Sequence, residues 1–294
     1  MYKKVVFSLL VVSFMSLSLE ANLEDLQKEI LDVKSKINTL KVNLKSLEAQ
    51  LPPNNQLITH TEIGYINTKG NTKTDAFSID ANAKKPYDRH LFEFSIDAQY
   101  AKDSDIESKN RYFVELEYNY NIKNKFSLNY TTGYKRDKFS SFKYQFYSGP
   151  GSKYKVYKST AQDLTIEGNI QYAIDRLEDI KYASDGSVIT YPNSAGIATS
   201  SIKKGPTNSY ASYRAKSVYI WQIADNLKFN QELSYRSEVY DKKNYFVFSK
   251  TALTSKLLEM FSAGLSYKVD YTNMPAQDKG YTDRTLSVNI IIDY

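Results

Sequence analysis

Along much of this 294-residue chain, charged side chains recur at every second position. Glu93 and Asp97 share a parity with Ser95 and Gln99, and Glu115 and Glu117 share one with Asn119 and Asn121. A period of two places such residues on one face of an extended strand. Read through all the alternating segments, that face carries the acids Glu93, Asp97, Glu115, Glu117, Glu167, Glu232, Glu238 and Asp270. It also carries the bases Lys84, Lys135, Arg214, Lys216, Lys228, Arg236 and Lys268. Charges held away from bulk water must be paired. They can pair with one another and close the interior, or they can form opposed acidic and basic walls across water, a transverse field of the kind that selects ions. Both arrangements stay open at this level.

Other chemistry finds little support. Glu115 and Glu117 lie two residues apart on one wall, but two carboxylates alone read as wall charge before they read as an acid–base pair. Hydrolases that work by an activated serine need a neighbouring histidine. Only His60 and His90 are present, both at predicted strand ends, and no Gly-x-Ser-x-Gly occurs. Cysteine is absent, which excludes disulfides, a thiol nucleophile, iron–sulfur clusters and zinc–thiolate sites. Asp103, Asp105 and Glu107 form a loose acidic patch without the glycine turn of a calcium loop. The chain is therefore expected to be no enzyme and to need no catalytic residue, metal or cofactor. Net charge is +6, spread along the sequence without a basic cluster that would track nucleic acid. Such mild basicity suits anionic lipid or lipopolysaccharide as surroundings.

The elements that must carry this polar face are long strands. In residues 92–100, Phe92, Phe94, Ile96, Ala98 and Tyr100 alternate with Glu93, Ser95, Asp97 and Gln99. Residues 112–122, 126–135 and 227–239 repeat the pattern. Twelve segments result: 59–69, 72–85, 90–102, 108–122, 125–137, 142–156, 162–175, 208–222, 226–240, 244–255, 259–272 and 281–294. Each is long enough for a tilted strand to cross a bilayer, which takes about 9–11 residues. An even number suits a closed antiparallel barrel with both ends on one side. The even-numbered connections are predicted short: Pro86–Tyr87, Lys123–Asn124, Lys158–Ser159, Asp225–Asn226 and Lys256–Leu257. The odd ones, at Asp103–Glu107, Lys138–Ser141, Leu177–Thr207, Asp241–Lys243 and Asn273–Gly280, are predicted longer. The first, Lys69-Gly70-Asn71-Thr72, is instead a tight hairpin turn. The last strand alternates through Leu286, Val288, Ile290 and Ile292 to a terminal Tyr294, and the 26 tyrosines suit interfacial girdles. A soluble sandwich or carrier barrel would have shorter strands and an apolar interior.

Two segments precede the barrel. Residues 1–21 join Lys3 and Lys4 to an apolar stretch from Val5 to Leu19 and a small Ala21, the pattern of a secretory signal peptide. Residues 22–53 carry Leu23, Leu26, Ile30, Val33, Ile37, Leu40, Leu44, Leu47 and Leu51 at alternating spacings of 3 and 4, ended by Pro52 and Pro53. This strict a/d seam predicts a coiled-coil helix. It either self-associates, as a trimer for example, engages a periplasmic partner, or docks on the rest of the chain. Residues 54–58 are a linker and 59–294 the barrel. Past residue 21 no apolar run approaches the roughly 18 residues of a membrane helix.

Several segments are similar to a known family. Gly64 with Gly70-Asn71-Thr72 resembles its opening hairpin. Tyr134-Lys135-Arg136-Asp137-Lys138-Phe139 followed by Gly149-Pro150-Gly151 resembles its central segment. Asn226–Leu233 and Thr251–Leu257 resemble its later strands. The family is that of salt-induced outer-membrane proteins, and the resemblance spans residues 59–294. It implies an outer-membrane β-barrel but no activity and no catalytic residues. Pro150 departs from the pattern and is expected to bend or bulge its strand. The expected protein is a twelve-stranded outer-membrane barrel with a periplasmic helical arm, passing small polar or ionic solutes. The alternative is a structural envelope protein with a closed lumen whose arm binds a partner or peptidoglycan.

Overall fold

The structure, a computed structural model, describes residues 25–43, 55–68, 74–189, 197–275 and 280–293. The chain divides into two units, Met1–Asn54 and Asn55–Tyr294. In the first, residues 25–43 are helical (α1). Leu26, Ile30, Val33, Ile37 and Leu40 lie exposed along it, as do Leu31 and Val42. Leu23, Leu44, Leu47 and Leu51, the signal-peptide segment and the turn at Gly70-Asn71 lie outside the described residues. No described helix is long and apolar enough to cross a membrane.

Among the described residues, the second unit is built from twelve long strands and three short ones. The long strands are β1 (Ile58–Thr68), β2 (Thr74–Tyr87), β3 (His90–Asp103), β4 (Ile106–Lys123), β5 (Phe126–Asp137), β6 (Phe142–Lys158), β7 (Gln162–Leu177), β11 (Thr207–Ala224), β12 (Leu227–Glu238), β13 (Tyr245–Lys256), β14 (Phe261–Thr272) and β15 (Thr282–Asp293). All are antiparallel to their neighbours and close into a barrel in the order β1-β15-β14-β13-β12-β11-β7-β6-β5-β4-β3-β2. Among the described residues, closure between β1 and β15 is the shortest ladder of the barrel, running from His60↔Asp293 to Ile63↔Ile290. It brings both ends of the barrel to one rim.

Alternation of side chains along the strands sets which residues face outward and which line the interior. On β15, Val288 and Ile290 are 72% and 63% exposed, while Asn289 and Ile291 between them are 5% and 1% exposed. The same reversal, polar inside and apolar outside, runs through β4, β5, β7 and β14. A closed barrel leaves no unpaired sheet edge, which is what allows strands to stand in hydrocarbon. Tyrosines on neighbouring strands stack into exterior bands: Tyr112, Tyr134 and Tyr144 on β4–β6, and Tyr213, Tyr235, Tyr245 and Tyr271 on β11–β14.

Three expectations need correction. The connection at Asp103–Glu107 is not long: β3 and β4 join through Ser104 and Asp105 alone, both with positive φ. Pro86–Tyr87 belongs to β2, and the turn is Asp88–Arg89, with Asp88 taking the left-handed conformation. The Gly149-Pro150-Gly151 run does not shift the register of β6. Tyr130↔Pro150 pairs normally with β5, and the β6–β7 ladder resumes in register at Gly151↔Asn169. The irregularities of β6 lie instead at Phe142/Tyr144 and Lys155/Tyr157. The reason is local: a Cβ at Gly149 would collide with the Ile170 carbonyl, so glycine lets β6 pass close to β7 without bulging. The long connection after β7 also holds a small sheet that alternation did not reveal, β8 (Ile180–Tyr182), β9 (Val188–Ile189) and β10 (Ser201–Lys203), ordered β10-β8-β9.

Candidate functional site

The inward faces of the strands enclose a cavity of about 1040 Å³. Much of its wall is made of ionised side chains, many of them in mutual contact. One network alternates in sign across seven strands. Lys250 Nζ lies 2.9 Å from Glu62 and 2.8 Å from Asp80. Lys268 Nζ lies 2.8 Å from Asp80 and also pairs with Asp97. Arg111 continues the chain to Asp97 at 3.2 Å and Asp270 at 2.8 Å, and Lys135 ends it at Asp270, 3.0 Å away. Its acids and bases are equal in number, so the network is neutral. β14 and β5 stand six places apart in the twelve-stranded ring, so the Asp270–Lys135 pair crosses the lumen from one side to the other.

A second set of ion pairs lines the wall of β2, β3, β4, β6, β7, β11 and β12. Arg214 is 6% exposed; it donates to Glu115 at 2.7 Å, to Glu167 at 2.6 Å and through Nε to Asn169 at 3.2 Å. The Tyr147 hydroxyl also donates to Glu115. Lys153 pairs with Glu117, with Glu93 at 3.4 Å and with Glu167 at 3.6 Å, and Lys84 meets Glu93 at 2.9 Å. Lys216 pairs with Glu232 at 3.0 Å. Multiple charge-assisted hydrogen bonds of this kind are what let ionised groups remain inside a barrel.

Aromatic side chains fill the lumen toward the rim opposite the chain ends. Tyr147, Ala173 and Tyr210 form a small buried cluster with Phe113 against it. The Arg236 guanidinium lies 4.5 Å from the Phe246 ring centre and 5.3 Å from that of Tyr147, and Phe142 packs edge-on against Phe246. The carboxylate nearest to Arg236 is Asp175, 3.9 Å away, which accepts hydrogen bonds from Tyr210 Oη at 2.5 Å and Gln145 at 3.1 Å.

The residues expected on the polar face thus fall into different roles. Glu93, Asp97, Glu115, Glu117, Glu167, Arg214, Lys216 and Lys268 are joined in ion pairs, several across the lumen. Arg236 is held chiefly by rings. Lys228 lines the cavity and makes no ion pair among the described residues. Glu238, at the end of β12, accepts from Asn244 Nδ2 at 3.0 Å. Alternation did not single out Glu62, Asp80, Arg111, Lys153, Asp175 or Lys250. Arg111 and Asp175 are in phase with Glu115 and Glu167 and were readable. Lys153 follows the Gly-Pro-Gly run, and Lys250 follows inward Phe246 and Phe248, so both sat where the polar alternation breaks. Of the two histidines, His60 Nδ1 lies 2.5 Å from Asp293 and Nε2 3.2 Å from Glu62, while His90 bonds the Tyr118 hydroxyl at 2.7 Å. The described residues hold no group of three or more metal-ligating side chains.

Comparison with known proteins gives a family and a set of distant likenesses. No curated protein sequence matches the chain. Among solved structures, the NanC porin is 8% identical with a TM-score of 0.44, covering 80% of this chain and 98% of its own. The translocator domain of the autotransporter NalP from Neisseria meningitidis is 10% identical with a TM-score of 0.44, covering 90% and 97%. The KdgM porin is 10% identical with a TM-score of 0.41, covering 81% and 99%. Residues 61–294, the whole barrel but for its first few residues, match the family described as "Protein of unknown function, DUF481", and the chain belongs to that family.

Proposed function

We propose that the protein is an outer-membrane β-barrel through which small polar or ionic solutes pass by a narrow route. The observation that carries this is the cavity of about 1040 Å³, walled by charged and amide side chains inside an apolar exterior. A barrel of this width lies between filled eight-stranded and open sixteen-stranded forms. The ion pair from Asp270 to Lys135 narrows the route to small solutes. The likeness of Tyr134–Phe139 and Gly149–Gly151 to segments of salt-induced outer-membrane proteins fits this location. On this reading the chain ends face the periplasm, since the connections at the other rim include the longest, between β7 and β11. Helix α1 then extends into the periplasm, where its exposed Leu26, Ile30, Val33, Ile37 and Leu40 meet either other copies or a partner.

The cross-lumen pair also favours a second reading, a structural barrel closed by its own ion pairs. Swelling of proteoliposomes in isotonic sugars and amino acids of graded size separates the two. Swelling with the smallest solutes supports passage, and none with any solute, from barrels shown to be folded, supports closure.

A further inference from the structure

In the half of the lumen nearest the chain ends, several cations make no ion pair among the described residues. Lys123, Lys125, Lys155 and Lys228 all line the cavity, and none makes an ion pair among the described residues. Lys155 and Lys228 are half-buried, so the barrel wall costs them part of their hydration without an ion pair in return. Acids at this end are fewer. Asp293 is held by His60 at 2.5 Å, and Asp163, which accepts from Thr165 Oγ1 at 3.2 Å and also lines the cavity, is one carboxylate against four ammonium groups. A second deficit accompanies the first. Asn230 lies two residues from Lys228 on the same face of β12, and its buried Oδ1 has no hydrogen-bond partner. On β4, Asn119 lines the cavity as Lys123 does. It is 2% exposed, spends Nδ2 on Glu93 at 3.1 Å, and leaves Oδ1 buried without a partner. β4 and β12 stand five places apart in the ring, so the two cation–amide sets face each other across the cavity.

Unanswered ammonium groups call for an anion, and unanswered carbonyl oxygens call for hydroxyl donors. We propose that this end of the lumen is a binding site for small organic anions that carry hydroxyl groups, the class of hydroxylated carboxylates and sugar phosphates. The Lys155 and Lys228 ammonium groups take the carboxylate or phosphate, Asn230 and Asn119 accept from the hydroxyls, and Lys123 and Lys125 draw the solute in at the rim. The inference names the solute class for the passage proposed above and depends on that passage for its physiological sense.

Titration calorimetry on the full-length protein in detergent tests binding without requiring conduction. The probe is glucuronate, with glucose supplying hydroxyls alone and acetate supplying charge alone. Glucuronate is expected to bind at least ten-fold more tightly than either control. In a Lys155→Gln/Lys228→Gln variant its affinity should drop at least ten-fold, and in Asn230→Ala its advantage over acetate should shrink. Neither lysine leaves an acid unpaired when removed, so both variants should keep the heat-modifiable gel mobility of a folded barrel. Glucuronate binding no tighter than acetate or glucose, or unchanged in the folded lysine variant, overturns the site. A folded protein that binds glucuronate but passes no solute overturns the passage reading and leaves the site standing.

Discussion

Replacing Asp270 by Asn removes the acid on which two cations converge from the far side of the barrel. Asp270 accepts from Arg111 Nη1 at 2.8 Å and from Lys135 Nζ at 3.0 Å, with its own side chain 19% exposed. Breaking a buried pair by deleting one partner costs about 3–5 kcal/mol. Two features pull the value toward the lower end. Lys135 is 30% exposed and regains water, and Arg111 keeps Asp97 at 3.2 Å. The expected loss is about 3 kcal/mol. Urea unfolding in lipid vesicles reads it through the chain's single tryptophan, Trp221. Lys135→Met should restore at least about 1 kcal/mol in the Asp270→Asn background, because the orphaned ammonium is then gone. A loss within about 0.5 kcal/mol, with no coupling to Lys135, would refute the bridge and mean that water fills the lumen at that level.

Three further outcomes follow from other parts of the molecule. At Gly133, an added Cβ would run into the buried Tyr147 ring, itself held between Glu115 and Arg214; Gly133→Ala should destabilise the barrel by about 1–3 kcal/mol in the same assay, and an unchanged midpoint would show that the ring can move. The base of the long connection after β7 is clamped by Asp179, whose carboxyl is held below the ordinary aspartate range by Lys143 at 2.9 Å and by the Gly205 amide at 3.0 Å. A depressed folded value means that this clamp is fully present above the ordinary aspartate pKa, about 4, and is lost as pH falls through the lower folded value. Protease cleavage between residues 178 and 206 should therefore rise only in strongly acidic buffer, and a rise already at pH 6 would contradict the assignment. Deleting residues 22–53 should convert oligomers to monomers by light scattering in detergent if the exposed seam of α1 self-associates, whereas an unchanged mass would leave a separate partner as its occupant.

Much of the barrel was legible because its strands are long and strictly two-faced. The segments 125–137 and 162–175 differ from β5 (Phe126–Asp137) and β7 (Gln162–Leu177) by one or two residues at their ends. The small sheet of β8–β10 was not legible, since elements of two or three residues carry no period to read. Nor was the two-residue turn at Ser104–Asp105, because its positive φ angles fall on residues other than glycine. For the lumen, alternation showed that Asp97 and Lys268 share an interior face but not that they touch. Which residues meet across a barrel depends on the stagger between strands, a property of closure that no single strand encodes. The same limit is why paired charges and opposed acidic and basic walls both stayed open from the sequence; in the structure acids and bases meet, through Arg111–Asp270 and Lys268–Asp80.

Single-channel recording of the purified, folded protein in a planar bilayer, over several salt concentrations, tests the account most directly. The account predicts small, stable conductance steps that increase when Asp270→Asn removes the cross-lumen pair and whose ion preference shifts when Arg214, Lys216 and Arg236 are neutralised. A silent barrel that stays silent in Asp270→Asn would contradict it and would make the ion-paired lumen a structural core.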